Sequence, residues 1–531
     1  MNHIELFAGC GGLSLGLETA GFELLVANEI SPMASETFAY NHLNADLGMQ
    51  ENIDKVFWVS SGYSRDNISA RLRENPFQAT GLNGHQCSDL IDMKPSDKQL
   101  KRSLLVGSII DINSILEKKG NPLLKKLRSG LGEGSVDLVS GGPPCQSFSL
   151  AGIRDHTNKR NELPWEFARF VKKVKPKIAL LENVSGILRA FDIDGKQFYA
   201  WFEVAKAFAK VGYVPLCLHV NAKYVGTAQN RPRFIMIALR NDIYRSIKRN
   251  SKDQALIDLI KPSAELYSKI KKGEDPSYGC LPYYDIEKDR TVFNSPLLSS
   301  LVSHKDDLVS VKDAIDDLRS KRVIESKYIK RINSCYLKHH EHPLNKEGNH
   351  AHRRNNDKVR ARFRIYQIMN KLDKAQAKII SNHLKTAGSS KIEPSVLDKV
   401  KQHWVLDLSG EKLDKPTEKQ VLELLSQLFT KKQTQRALIA NEPAPAALSI
   451  PDDACHYHES KSSQRTLTVR EMARIQSFPD WYQIKSKVTT GGQMRKFEVP
   501  QYTQIGNAVP PLLGIALGKV CKTLIEIAES E

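Results

Sequence analysis

The chain has 531 residues, of which 40% are hydrophobic and 26% charged, a balance typical of a folded rather than a disordered protein. Its length exceeds what one ordinary core supports, so we expect two domains or one domain with a large insertion. No apolar run approaches the roughly 18 residues that span a bilayer, and the N-terminal residues already follow a strand pattern, so we expect neither a membrane protein nor a signal peptide.

The net charge of +18 predicts a polyanionic partner, most simply nucleic acid. Basic surface faces that only aid solubility would give the same net charge. Eight cysteines lie far apart, at positions 10, 87, 145, 217, 280, 335, 455 and 521. Because none has the CxxC spacing, we expect reduced thiols in a cytoplasmic protein rather than disulfides or a zinc ribbon.

A strand, a glycine turn and a helix open the chain, at residues 3–7, 8–12 (AGCGG) and 13–20. Such a turn beside a helix N-terminus is typical of nucleotide-type sites, but its spacing is not GxGxxG, so a dinucleotide pyrophosphate is not the expected ligand. The second strand, residues 23–28, is followed by Glu29. That carboxylate is placed either to bind a ribose diol or to begin a helix.

Polar, irregular sequence over about 45–105 predicts an insertion, and residues 106–110 are predicted to end a third strand. The strand at residues 135–140 is followed by a turn of glycines and prolines that carries Cys145. Ligands of open α/β sheets bind at the carboxyl ends of strands, so this rigid turn would present its thiol to a substrate. Taken alone, the same cysteine could be a buried core thiol.

A further buried strand, residues 177–181, ends at Glu182, which should therefore lie at the same sheet edge as the cysteine turn. Arg231 and Arg233 stand on a proline-braced turn before the strand at 234–239. They suit a phosphate or a base carbonyl, or they are solvated surface arginines.

The alternation of strands and helices stops from about residue 241 to residue 463. The most basic run, residues 352–364, predicts a helix whose apolar stripe leaves several arginines pointing outward, which is typical of phosphate contact. The predicted contact residues are Arg353, Arg354, Arg360 and Arg364. Histidines 339, 340, 342, 350 and 352 with Cys335 could be a metal cluster, but their spacing matches no standard zinc pattern and no metal is expected.

Seven segments resemble, in chain order, the motifs of the cytosine-C5 DNA methyltransferases. They are residues 5–12 (ELFAGCGG), 28–29 (NE), 142–149 (GPPCQSFS), 182–184 (ENV), 229–233 (QNRPR), 465–479 and 506–510 (GNAVP). The resemblance implies an α/β fold: a Rossmann-like, doubly wound, S-adenosylmethionine-dependent methyltransferase domain with a large inserted target-recognition domain. It implies a catalytic and cofactor-binding domain at 1–240, a target-recognition region at 241–464 and a return segment at 465–531.

The resemblance also implies the chemistry. Cys145 would attack C6 of a flipped cytosine while Glu182 hydrogen-bonds or protonates N3, Arg233 holds O2 and Arg231 supports the loop or a phosphate. The implied cofactor-binding residues are Phe7, Ala8, Gly9, Cys10, Gly11, Glu29, Ile30, Ser108, Pro144, Asn507 and Val509. Ser108 stands where the family usually has an aspartate that contacts adenine, so this contact departs from the pattern.

The expected partner is double-stranded DNA, bound by a monomeric, cytoplasmic, nucleoid-associated enzyme that modifies sites for a cognate restriction endonuclease. Two alternatives stay open at this point. The substrate could be transfer RNA, as in one branch of the family, although the long basic insertion favours duplex DNA. The other alternative is a binding protein with an inactive site. The presence of Cys145, Glu182 and Arg233 argues against it.

Overall fold

The apolar runs of the sequence become the strands of a central sheet. The computed structural model describes residues 1–47, 53–59, 89–144, 162–193, 195–320, 322–386, 391–432, 434–446, 453–492, 494 and 498–530. Strands of the sheet are β1 (Asn2–Leu6), β2 (Glu23–Glu29), β3 (Val56–Trp58), β4 (Ser103–Val106), β5 (Leu138–Gly141), β6 (Ile178–Val184), β7 (Tyr213–Asn221), β8 (Pro232–Arg240) and β9 (Tyr284–Asp285). Their order is β9-β7-β8-β6-β5-β1-β2-β4-β3, and only β8 runs antiparallel to its neighbours.

Buried side chains cover both faces of this sheet. Successive side chains of a strand point to opposite faces. In β6, Ile178 and Leu180 join one buried cluster, whereas Ala179 and Leu181 join another. Parallel strands buried on both faces confirm the predicted doubly wound, Rossmann-like fold.

The longer helices lie between and after these strands. They are α1 (Gly12–Thr19), α2 (Pro32–Leu43), α3 (Ile109–Glu117), α4 (Pro122–Arg128), α5 (Leu163–Val174), α6 (Ala200–Lys210), α7 (Asn241–Asn250), α8 (Gln254–Lys271), α9 (Lys327–Ser334), α10 (Asp357–Met369), α11 (Lys374–Lys385), α12 (Pro394–Val400), α13 (Glu418–Gln427), α14 (Val469–Ile475), α15 (Gln501–Asn507) and α16 (Pro511–Glu529). Short antiparallel or parallel strand pairs join Phe191–Ile193 to Lys196–Phe198, Gln229–Asn230 to Ala444–Pro445, Val405–Leu406 to Lys412–Leu413 and Arg436–Ala437 to Ala454–Cys455.

One edge of the sheet collects the ends of its parallel strands. β1, β2, β4, β5 and β6 run in the same direction, so the chain leaves the sheet at this carboxyl edge after Leu6, Glu29, Val106, Gly141 and Val184. Loops that follow parallel strands are where such folds bind ligands.

One sequence expectation about the third strand is wrong. The range 45–105 contributes β3 and most of β4 to the sheet, so the predicted bounds of the insertion include core strands, and an insertion within that range stays a prediction. Residues 106–110 do not all continue that strand, because Ser108 caps the next helix and Ile109 already lies in α3. A serine after a glycine ends the extended run here, since its hydroxyl accepts a hydrogen bond from the first helical turn.

The packing does not change at residue 241. Ile247, Ile260 and Ile329, from α7, α8 and α9, belong to the same buried cluster as β7 and β8. A separate buried cluster draws its residues from between Ala361 and Cys455, and we call residues 357–455 the second module. The functional boundary at residue 241 stays a prediction. The hydrophobic core of the sheet gives way to that of the second module only later in the chain.

The C-terminal segment corrects the expectation that no apolar run could span a bilayer. Gln501–Glu529 is long and apolar enough by composition, yet 78% of its most apolar window is buried inside the protein. α16 packs closely on α1, where a Cβ added to Gly16 would lie 2.6 Å from the Cα of Gly514. This helix is therefore a core element that returns to the sheet.

Candidate active site

A buried ion pair lies at the carboxyl edge. Glu182 faces Ile235 across the β6–β8 ladder, and Arg233 is two residues away on β8, so both side chains point to the same face. Nε of Arg233 is 2.8 Å from Oε1 of Glu182, and about nine-tenths of each side chain is buried. Burial lowers the pKa of Arg233, and the carboxylate of Glu182 opposes that shift. The structure thus brings together two of the predicted catalytic residues.

The turn that follows β5 passes directly over this pair. A Cβ on Gly142 would lie 2.8 Å from Oε2 of Glu182, so only glycine lets the backbone come this close. Asn183 points to the opposite face from Glu182 and donates a 3.1 Å hydrogen bond from Nδ2 to the carbonyl of Pro143. The predicted nucleophile, Cys145, lies outside the described residues, two positions beyond this anchor.

Arg231 has a different role from Arg233. Its side chain is buried, and Nη2 donates 2.9 Å hydrogen bonds to the carbonyls of Gly506 and Ala508 in the return segment. The guanidinium has no surface to offer a phosphate, so of the two predicted roles the structure favours loop support. It fastens the β7–β8 turn to the segment that begins at Gly506.

The glycine turn after β1 forms an open cradle of backbone groups. Phe7, Gly9 and Gly11 all have positive φ values, of 56°, 56° and 87°. The N–H of Gly9 donates to Oε2 of Glu29 at 2.8 Å, and Oε1 of the same carboxylate accepts from Ser31 N at 2.7 Å. A Cβ on Gly9 would meet no atom within 4 Å, so the turn faces open space there. These bonds hold the Glu29 carboxylate beside the backbone of Gly9, which carries no side chain.

Not every residue of the turn presents its side chain to that space. Cys10 is buried, and burial raises the pKa of its thiol to about 12, so it stays protonated. A Cβ on Gly12 would lie 2.3 Å from the carbonyl oxygen of Val509, which shows how tightly the return segment closes on the turn. Cys10 and Gly12 therefore contribute backbone and close packing.

The remaining predicted cofactor residues differ in exposure. Ala8 is buried, Ile30, Ser108 and Val509 are half-buried, and Pro144 and Asn507 are exposed. Ser108 lies at the end of β4, where its hydroxyl accepts a hydrogen bond from Ile110 N.

The family model described as C-5 cytosine-specific DNA methylase matches residues 1–58 and 107–523. The chain belongs to this family. Type II methyltransferase M.DdeI of Desulfomicrobium norvegicum is 25% identical over 520 residues, which cover 98% of this chain and 88% of the relative. M.Bpa9945I of Bacillus paralicheniformis is 26% identical, with 98% of both chains covered. M.AgeI of Thalassovita gelatinovora is 26% identical, with 99% of this chain and 100% of the relative covered.

The predicted enzyme class, a DNA cytosine-5 methyltransferase, is thereby confirmed, and S-adenosylmethionine is the methyl donor that this family implies. The cradle of the methyltransferase fits that molecule. Glu29 offers carboxylate oxygens of the kind that accept hydrogen bonds from a ribose diol, and the bare face of Gly9 allows close approach of a ligand. The half-buried ring of Phe7 supplies apolar surface beside them.

The predicted DNA-contact residues of the methyltransferase divide into two groups. Arg354 is exposed, and Arg353 and Arg360 are half-buried. Arg364 is only 1% exposed, so the prediction that it points outward to DNA is wrong. Its Nη1 is 3.0 Å from Oε2 of Glu459, and its guanidinium lies 4.0 Å from the ring centroid of Trp404. The single apolar stripe predicted for this helix underestimated how much of it is enclosed.

The histidine-rich segment is likewise structural. His339 pairs with Glu18 at 2.8 Å, His350 is hydrogen-bonded to Thr468 at 2.9 Å, and His342 stacks on Tyr40. Among the residues described, no group of three or more histidine, cysteine or acidic side chains is arranged to hold a metal ion.

Sequence reasoning missed two sets of residues at this site. Asn183 anchors the cysteine turn, and its signal was available, because neighbours on a strand point to opposite faces. Glu18, His42 and Tyr482 form a buried network behind the glycine turn. No spacing in the sequence could pair His42 with a tyrosine 440 positions away.

Proposed function

We propose that the methyltransferase transfers a methyl group to C5 of a flipped cytosine in a specific duplex DNA sequence, through a covalent bond between Cys145 and C6. The observation that carries this proposal is the buried Glu182–Arg233 ion pair directly beneath the turn that leads to Cys145. A buried carboxyl group and a buried guanidinium at a strand end suit a reaction that moves negative charge around a ring.

The chemistry needs a nucleophile because C5 of cytosine is itself unreactive. The Cys145 thiolate adds to C6, and Glu182 hydrogen-bonds or protonates N3, so the electron pair of the C5–C6 double bond becomes available at C5. S-adenosylmethionine, when bound, supplies a methyl group on a positively charged sulfur. After C5 has gained the methyl group, which leaves S-adenosylhomocysteine, a base such as water removes the C5 proton. Any proton taken up by N3 returns to Glu182, the C6–S bond breaks, the C5–C6 double bond re-forms and Cys145 leaves as thiolate.

Arg233 would stabilise the charge that develops on the cytosine. Its guanidinium has several donors, so the group that pairs with Glu182 through Nε can also donate to O2 of the base. Asn183 would hold the turn in register through Pro143, and Arg231 would hold the return segment. These two act by positioning the reacting groups rather than by touching the cytosine.

The cofactor would be bound by the cradle at the ends of the first strands. Glu29 would accept hydrogen bonds from the ribose, and the Phe7–Gly11 turn would pass along the methionine and adenosine ends. The other residues proposed to line this site are Ala8, Cys10, Ile30, Ser108, Pro144, Asn507 and Val509. Ser108 offers a hydroxyl where an aspartate is usual in the family, so we expect a weaker hydrogen bond to adenine.

Duplex DNA would approach the carboxyl edge, and the target base must leave the stack to reach Cys145. We assign sequence recognition to residues 241–464 and phosphate contact to Arg353, Arg354 and Arg360, which are not fully buried. The relatives are named Type II methyltransferases. We therefore propose a monomer that acts on cytoplasmic, nucleoid DNA and protects sites from a cognate restriction endonuclease.

Methyl transfer from labelled S-adenosylmethionine to duplex DNA and to transfer RNA tests this function. We expect label in DNA only, at one sequence that bisulfite sequencing identifies. Label in transfer RNA alone would reject DNA as the substrate, and label in neither would leave a binding protein.

Cys145→Ser tests the nucleophile. The variant should lose methyl transfer yet keep DNA binding, and it should fail to form a covalent complex with DNA that contains 5-fluorocytosine. Cys280→Ser is the matched control, since Cys280 is a partly exposed free thiol outside the proposed site. Covalent trapping by the Cys145 variant would show that another residue is the nucleophile.

A further inference from the structure

A chain of buried hydrogen bonds ends on the backbone of the glycine turn. The hydroxyl of Tyr482 donates to the carbonyl oxygen of Cys10. In this arrangement both ring nitrogens of His42 donate, Nε2 to the Tyr482 hydroxyl at 3.0 Å and Nδ1 to Oε2 of Glu18 at 2.9 Å. The Glu18 carboxylate stabilises this doubly protonated ring against burial, which lowers the pKa of His42. These side chains come from α1, α2 and the segment after α14, so three separate elements meet behind one carbonyl group.

Each member of this chain is held in place. Tyr482, His42 and Glu18 are at most 4% exposed. Burial holds the pKa of Tyr482 well above its usual value, so its hydroxyl keeps the proton that it donates to the carbonyl. Glu18 also pairs with Arg102 and His339, each at 2.8 Å, which balances its buried charge.

The turn has no room to move toward these side chains. A Cβ on Gly11 would lie 2.4 Å from Nε2 of His42 and 2.6 Å from the Tyr482 hydroxyl. Cys10 lies between this crowded glycine and Gly9, whose N–H holds the carboxylate of Glu29. The Cys10 carbonyl shares a peptide group with the Gly11 N–H, which donates a 2.9 Å hydrogen bond to the carbonyl of Ala8. That carbonyl shares a peptide group with the Gly9 N–H, so a contact that fixes Cys10 also acts on Gly9.

We infer that Tyr482, oriented by His42 and Glu18, is a positioning residue that sets the S-adenosylmethionine-binding geometry of the Phe7–Gly11 turn. The inference rests on the proposed cofactor site at this turn and at Glu29. Tyr482 does not touch the cofactor. Its hydroxyl holds the turn in the conformation in which the Gly9 N–H and the Glu29 carboxylate are paired, so that the site does not have to be ordered when the cofactor binds.

Tyr482→Phe tests the inference because it removes only the hydroxyl group. Tyr213→Phe is the matched control: Tyr213 is equally buried, and its hydroxyl donates a 2.8 Å hydrogen bond to the carbonyl of Pro176, at the opposite end of the sheet. We expect Tyr482→Phe to weaken binding of S-adenosylhomocysteine, measured by calorimetry without DNA, about tenfold. KM for S-adenosylmethionine should rise equally, with kcat and KM for DNA unchanged.

A purely structural tyrosine would give another result. Both tyrosine variants would then lose similar thermal stability, and neither would change the affinity for S-adenosylhomocysteine, which would overturn the inference. His42→Leu should reproduce the loss of affinity, and His42→Gln should recover part of it, since its amide nitrogen can replace Nε2. Equal affinity in the two His42 variants would also contradict the proposed role.

Glu29→Ala separates this inference from the proposed cofactor site. If Glu29→Ala weakens S-adenosylhomocysteine binding but Tyr482→Phe does not, the positioning role is wrong and the site stands. If neither variant changes the affinity, the cofactor site itself has been placed wrongly.

Discussion

Buried charge serves different ends at the carboxyl edge and in helix α10 of the second module. Glu182 and Arg233 form a buried ion pair beneath a turn that leads to the proposed nucleophile. Arg364 is buried as completely, but it pairs with Glu459 and covers the ring of Trp404 inside a separate core. From the sequence, both arginines were predicted to contact the nucleic acid, Arg233 at the target base and Arg364 at a phosphate.

The difference lies in what surrounds each pair. At the carboxyl edge the strands end and loops begin, so a buried group there still borders a space that a ligand can enter. Inside α10, packing continues on the far side of the arginine, and the hydrogen bonds are made to Trp404, Gln367 and Glu459 within the protein. Removing charge should therefore cost activity at the edge and stability in the helix.

Glu182→Gln should have the largest effect. The amide cannot supply a proton to N3, so kcat per folded molecule should fall about 10²–10⁴-fold, and the unfolding free energy should also fall, because the buried guanidinium of Arg233 loses its counter-charge. Steady-state methyl transfer and urea unfolding measure the two quantities. Glu203→Gln, which alters a carboxylate paired with Lys206 on α6, is the control. A kcat within threefold of the wild type would remove Glu182 from the mechanism.

Glu5→Gln should change how stability depends on pH. Burial raises the pKa of Glu5 to about 8, and the hydrogen bond from Ser14 opposes that shift. The folded state therefore holds a proton that the unfolded chain loses above about pH 4.5, so wild-type stability falls as pH rises from there to about 8.

The Gln variant lacks this titration. We expect its unfolding free energy, relative to that of the wild type, to rise by up to about 4 kcal/mol between pH 5 and pH 9. Urea unfolding at both pH values measures the difference. A constant difference would mean that Glu5 is already ionised in the folded protein.

Arg364→Met should destabilise the protein by about 2 kcal/mol, because three buried or half-buried acceptors lose their donor. Activity per folded molecule should not change. Arg360→Met, one turn earlier on the same helix, removes a half-exposed pair with Asp357 and should cost less than about 1 kcal/mol. Loss of DNA binding without loss of stability in the Arg364 variant would restore its predicted contact with DNA.

Arg354→Ala should have the smallest effect. This residue is exposed, so its removal should weaken DNA binding about equally for all sequences and reduce the slope of log Kd against log salt by about one. Titrations at several salt concentrations measure the slope. Arg364→Met, measured in parallel, should leave it unchanged.

The order of motifs in the sequence predicted the family and the α/β fold, because glycine turns and strand-end acids recur where a parallel sheet meets its ligands. Glu182 and the cysteine turn could be assigned to one edge for the same reason. The third strand was misjudged, since β4 follows a polar stretch and ends at a serine cap rather than at Ile110. Arg364 was misjudged because helical periodicity reports one apolar stripe, whereas packing in the second module encloses α10 on several sides.

By itself the sequence predicted the groups of the proposed site: a thiol, an acid, two arginines and a glycine turn. Only the tertiary structure decided which partners the acid, the arginines and the glycine turn have. It separated Arg233, which pairs with Glu182, from Arg231, which holds the return segment. It also joined Tyr482 to Cys10. Residue type fixes the chemistry available to a side chain, but burial and partners depend on contacts between segments far apart in the chain, which no local pattern encodes.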